Sequence, residues 1–299
     1  MYRIITKLLL AAALGGFAGT AHAEESPTLE KIRAKNEITV GIREGSLPFN
    51  YLDDNNEQDG YSWQITLRIV DAVKEKLGLP DLAVKRLMVS PATRIQLVAN
   101  QTLDLECSST TNNTERQKQV SYGNTFYIVG PRLLVDKGST IRNWTDLKDK
   151  SVVVNAGTTA EKLLRTMNSE KDWGANILLA KEASQGFMMV ETGRADAAMM
   201  DDTGLFGLVA RSKEPQRWEV TGDFLRKEAY GCMLRKDDAG FKEIVDETIA
   251  GMMLSGEMEE LQKKYFQQPI AVKGGITLGV PLSDEMKALY KQPTDAAYD

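Results

Sequence analysis

Two hydrophobic periods alternate along this chain. In Glu37-Ile-Thr-Val-Gly-Ile42, the residues Ile38, Val40 and Ile42 fall on every second position, the period of a strand. Ser62 to Leu77 instead spaces its apolar residues as a helix does, and Gly78 and Pro80 end it. Leu82 to Val89 reads as a strand, after which Ser90 and Pro91 read as the N-cap and first residue of a helix through Asn100. A strand at Leu103–Cys107, a helix from Asn112 to Gln119 and a long extended run from Thr125 to Val135 follow. The middle repeats the theme. Strands at Ser151–Asn155, Ile177–Ala180 and Ala195–Met200 alternate with helices from Gly157 to about Asn168 and from Ser184 to Thr192. A second extended run, Glu228–Leu234, leads to helices at about Phe241–Ser255 and Glu257–Phe266, and the tail from Pro269 reads mostly as loop.

Strands alternating with helices predict an α/β protein with mainly parallel sheets. Gln101–Cys107 and Gly193–Met199 echo each other weakly, each following a helix and making a strand that carries Asp, which suggests two lobes. The two extended runs are natural crossover strands between them. The expected division is a leader over residues 1–23, lobe 1 over 24–129, lobe 2 over 130–227, and a second part of lobe 1 with the tail over 228–299.

The leader changes the picture of compartment and charge. Arg3 and Lys7 precede an apolar stretch from Leu8 to Ala18, and Ala21-His22-Ala23 offers small residues for cleavage, the pattern of a secretory signal peptide. A periplasmic protein cleaved after Ala23 is therefore expected. Losing the leader leaves 35 basic against 42 acidic residues, a net charge of −7, which supplies no field for nucleic acid or anionic lipid. The only histidine, His22, leaves too, so imidazole-dependent hydrolysis and His-ligated metal sites are excluded. Cys107 and Cys232 enter an oxidising compartment together, so a disulfide is expected, with two buried thiols as the alternative.

In open α/β sheets, ligands bind outside the carboxyl ends of the strands, and those ends are polar here. Arg43 follows the first strand, Ser108 to Thr111 follow the one ending at Cys107, Thr158 and Thr159 follow Asn155, and Asp201 follows Met200; Arg94 and Arg116 start helices beside these turns. Singly, the hydroxyls read as helix caps and the arginines as solvated residues. Gathered into one cleft, they suit a free amino acid. A carboxylate takes a bidentate Arg with hydroxyl and backbone N–H donors, and an ammonium takes a carboxylate. Arg43, Arg94 and Arg116 against Asp201 is a balance expected around a dicarboxylic amino acid.

Three runs, Cys107-Ser-Ser-Thr-Thr-Asn-Asn-Thr-Glu-Arg-Gln-Lys-Gln119, Met199-Met-Asp-Asp202 and Ala229-Tyr-Gly-Cys-Met-Leu-Arg-Lys-Asp-Asp238, closely resemble the periplasmic glutamate/aspartate-binding proteins of ABC importers. The resemblance extends to Leu282-Ser-Asp-Glu-Met-Lys-Ala-Leu289 and implies the two-lobed type II periplasmic binding protein fold. It further implies that Arg116, Thr111 and Thr159 bind the α-carboxylate, that Ser109 and Asp201 hold the α-ammonium, and that Arg43 and Arg94 clamp the side-chain carboxylate. Thr158 and Ser90 are secondary candidates. The implied partners are L-glutamate or L-aspartate and the membrane permease of an ABC importer. No cofactor, metal, nucleic acid, membrane insertion or second copy of the chain enters. Pro91 and Ala183 depart from the family pattern, which has a serine and a histidine there, so glutamine, asparagine or a mixed acid-and-amide range stays open. A dehydratase on the same scaffold is the rival from another class, with Glu106 and Asp202 as its acid candidates.

Overall fold

The computed structural model describes residues 26–270, 272 and 275–298. The expected leader lies outside these residues. Two five-stranded sheets organise the chain. The first runs, edge to edge, through Ala83–Met88, Glu37–Ile42, Leu105–Glu106, Met233–Arg235 and Val120–Tyr122. The second runs through Asn176–Ala180, Ser151–Asn155, Ala197–Asp201, Pro131–Asp136 and Trp218–Thr221. In both, the first three strands pair parallel, and the fourth runs antiparallel to its two neighbours. Four of the five strands in each sheet thus point the same way, as the alternating pattern predicts, while two of the four pairings are antiparallel.

Burial explains the strand patterns. Glu37–Ile42 and Ser151–Asn155 are buried almost throughout because each lies between two strands with helices above and below. Ala83–Met88, at an edge, is largely exposed. Helix Tyr61–Leu77 buries Ile65, Ile69, Val70 and Val73 on one stripe and ends at Gly78 in the left-handed conformation.

Between the sheets, Thr111–Asn112, Glu228–Tyr230 and Tyr127–Val129 form a three-stranded antiparallel sheet, so the two expected crossover runs lie side by side. This junction is anchored in the first lobe. Tyr127 and Tyr230 each pack edge-on against Phe49, and Tyr127 stacks on Phe266 at 4.6 Å between ring centres. Cys107 and Cys232 are bridged beneath it.

Several elements differ from expectation. No helix starts at Pro91; it runs over Arg94–Ala99, because Thr93 Oγ1 takes the Ser90 N–H at 3.1 Å and holds residues 90–93 in a turn. Asn112 is a strand residue, and Asn113 caps the short helix Thr114–Gln117. The tail carries a helix, Asp284–Lys291, capped by Ser283, with Met286, Leu289 and Tyr290 buried. Helices Pro27–Lys35 and Asp202–Arg211 and strand Trp218–Thr221 also lie outside the sequence expectations. Among the described residues, no helix is long and apolar enough to cross a membrane.

Candidate functional site

A cavity opens where strand ends of the two sheets face each other. Arg43, Arg94, Ser109 and Thr111 line it from the first lobe, and Thr158, Thr159 and Asp201 from the second. Tyr230 of the junction completes the wall. The lobes touch around it: a Cβ on Gly157, whose φ is +78°, would fall 2.6 Å from the Ala92 Cα. Only glycine fits both the backbone angle and the approach.

The first lobe brings three guanidinium groups together. Arg43 follows its strand with its N–H on Asn50 Oδ1 and its carbonyl taken by Gln58, so the backbone is fixed and the side chain is buried. Its Nη2 reaches across to Glu182 Oε2 at 2.7 Å. Arg94 donates from Nη1 to Ser108 Oγ and to the Ser109 carbonyl, with Glu106 Oε1 at 3.9 Å. Burial pulls the Arg94 pKa down to about 10; Glu106 opposes that, while Arg116 and Arg43 add to it. Arg116 donates to the Thr111 carbonyl at 2.9 Å and, across the cleft, to the Gly157 carbonyl at 3.4 Å. It stands behind Thr111 rather than in the lining.

Glu228, wholly buried on the junction strand, joins both lobes. Its Oε2 accepts from Thr111 Oγ1 at 2.5 Å and Thr159 Oγ1 at 2.7 Å, and its Oε1 accepts from Arg226 at 2.7 and 2.9 Å. A hydroxyl carries one hydrogen. For either threonine to donate to a ligand, that ligand must take the place of Glu228. Asp201 has the complementary character. Its Oδ2 accepts from the Tyr230 hydroxyl, while its buried Oδ1 has no hydrogen-bond partner among the described residues. Burial, then the charge of Glu228, pushes the Asp201 pKa up to about 8. A cation placed there would relieve both effects.

A family model, bacterial extracellular solute-binding proteins, family 3, matches residues 38–268. The chain belongs to this family. The Escherichia coli (strain K12) glutamate/aspartate import solute-binding protein is 47% identical over 294 residues, covering 97% of this chain and 96% of that one. The L-glutamate/L-aspartate-binding protein of Pseudomonas aeruginosa is 46% identical over 98% of this chain and 97% of its own length. Among solved structures, a mutant of the arginine-binding protein from T. maritima superposes with a TM-score of 0.71 over 80% of this chain and 98% of that one, at 23% identity, and so shares the fold.

In this family 3 solute-binding protein, the cavity gathers Arg43, Arg94, Ser109, Thr111, Thr158, Thr159 and Asp201, and it leaves Ser90 outside the lining. The Ser90 hydroxyl sits on Thr93 Oγ1 at 3.1 Å, whereas the apolar Pro91 and Ala183 are in the wall. Thr158 also caps helix Thr159–Glu170. Of the acid candidates weighed for a dehydratase, neither Glu106 nor Asp202 lines the cavity, and Glu106 is held by Ser108 and Thr110. Sequence reasoning missed Glu182, Glu228 and Tyr230 as parts of the site, and Glu106 as a charge partner. The balance of Arg43, Arg94 and Arg116 against Asp201 therefore needs correction, because Glu106, Glu182 and Glu228 stand among them. A strand position and a residue before a helix carry no local signal of such pairing; only the fold brings Glu182 to Arg43, 139 residues away.

Proposed function

We propose that this protein captures an acidic amino acid, L-glutamate or L-aspartate, between its lobes and hands it to the membrane permease of an ABC importer. The observation that carries the reading is the buried Asp201 Oδ1, without a hydrogen-bond partner among the described residues, in a cavity whose opposite wall holds Arg43 and Arg94. Such an oxygen suits an ammonium, and the guanidinium groups suit carboxylates. The α-carboxylate falls to the first turn of helix Thr159–Glu170 in the cavity wall, with the Arg116 guanidinium behind Thr111 adding its charge. The names of the relatives at 46–47% identity support the acidic ligand. The lobes divide near residues 130 and 227, and the junction strands Tyr127–Val129 and Glu228–Tyr230 serve as the hinge. Ligand contacts from both sides favour the closed arrangement over the open one.

A second reading, an amide ligand, is favoured by one specific feature: Arg43 already holds a carboxylate, that of Glu182. Calorimetry on protein unfolded, dialysed and refolded tests both. L-glutamate and L-aspartate bind at one site with dissociation constants at or below about 1 μM, within reach of a ligand of about ten non-hydrogen atoms, and they are recovered unchanged. Preference for glutamine would replace the first reading with the second, and product formation would end both.

A further inference from the structure

We propose that Glu182 sets the specificity of this pocket: it holds Arg43 across the cleft, and a ligand's side-chain carboxylate binds by taking its place. The inference rests on the amino-acid-binding reading above. Arg43 belongs to the first lobe, after strand Glu37–Ile42, and Glu182 to the second, immediately before helix Ala183–Glu191. Their 2.7 Å ion pair spans the cleft, and the residue after Glu182, Ala183, lines the cavity.

The two arginine–glutamate pairs differ in which member can leave. The Arg43 side chain is 6% exposed, but that of Glu182 is 36% exposed. For Arg94 and Glu106 the values are 3% and 0%, and Ser108 and Thr110 also bind Glu106. A guanidinium so buried stays costly without an anion, so Arg43 needs either Glu182 or a substitute. Glu182 can swing into water at small cost. Its side chain has no other polar contact among the described residues: it sits at the N-cap position yet caps nothing. Arg94 cannot exchange its anion in this way, so of the two pairs only Arg43–Glu182 can open to a ligand carboxylate.

An acid and an amide then meet different pockets. A glutamate or aspartate side chain supplies the anion that releases Glu182. A glutamine side chain is neutral, so Glu182 must remain on Arg43 for the guanidinium to stay paired. Glu182 therefore lowers affinity for acids by competing with them, and it leaves amide affinity unchanged or raises it by tying the lobes together.

The test is calorimetry of L-glutamate, L-aspartate and L-glutamine with the wild-type protein and with Glu182→Gln, all refolded. The acid-to-amide affinity ratio rises in the variant by roughly two- to fivefold, the scale of a partly exposed ion pair. An unchanged or lower ratio overturns the proposal and leaves the amino-acid-binding reading standing. If neither protein binds any of the three, the binding reading fails and the proposal with it.

Discussion

Each lobe lays down a five-stranded sheet with three parallel strands beside a reversed fourth, yet the turns at the strand ends carry different chemistry. The first lobe contributes Arg43, Arg94 and Arg116, with Glu106 sealed beneath Arg94. The second contributes Asp201 and Glu182, carboxylates that look back across the cleft. Cations on one wall and anions on the other are complementary to a zwitterion, whose ammonium and carboxylates must reach opposite lobes at once. The same arrangement makes the lobes complementary to each other, as the Arg43–Glu182 pair shows. On the proposed reading, ligand binding is an exchange of charge partners rather than the filling of a bare positive pocket.

The sharpest way to break the comparison is to remove each arginine of the first wall in turn. Arg94→Met leaves the Glu106 carboxylate buried without its cation, and breaking a pair of that kind destabilises by about 3–5 kcal/mol. Arg43→Met releases Glu182 into water and costs about 1 kcal/mol or less, while affinity for acids falls far more than affinity for glutamine. Urea denaturation of both variants measures the difference. Equal losses of stability would show that the two pairs are not built differently.

The opposite wall gives the next largest effect. Asp201→Asn keeps the shape and an acceptor for Tyr230 but removes the anion that faces the ammonium. Affinity for acids and amides alike drops by about 2 kcal/mol or more, some thirtyfold, because every amino acid brings the same ammonium. Calorimetry with L-glutamate and L-glutamine checks it. A loss confined to one of the two would place the ammonium elsewhere.

These effects also mark what could be read from residues alone. The alternation of strand and helix periods made the two mainly parallel sheets legible, since buried strands such as Ser151–Asn155 announce themselves by apolar runs. Helix Asp202–Arg211 was illegible because Gly204 and Gly207 interrupt it. Gly207 answers to the other lobe, where its Cβ would lie 3.0 Å from the Leu47 carbonyl. The donor-rich strand ends pointed to Arg43, Thr111 and Asp201, whereas Ser90 was misread because Thr93 intercepts its N–H. Glu182 and Glu228 stayed hidden for a different reason. Their roles depend on which side chains they meet across the cleft, a property of tertiary distance that no local spacing encodes.

The smallest effect is a dependence on pH that only the second wall generates. Burial and the charge of Glu228 raise the Asp201 pKa to about 8, against the opposing Tyr230 hydrogen bond and Arg116 charge. At pH 7 the free protein therefore carries a proton there that an incoming ammonium must expel, because the ammonium favours the ionised form. Binding releases that proton. Affinity then rises with pH below about 8, by at most about tenfold per unit, and levels off above it until the ligand's own ammonium begins to deprotonate. Calorimetry at pH 7 in buffers of different ionisation enthalpy counts the released protons directly, and a net release is expected. In Asp201→Asn the release disappears. If wild type and variant released the same number, the proton would come from another group, and Asp201 would be charged before the ligand arrives.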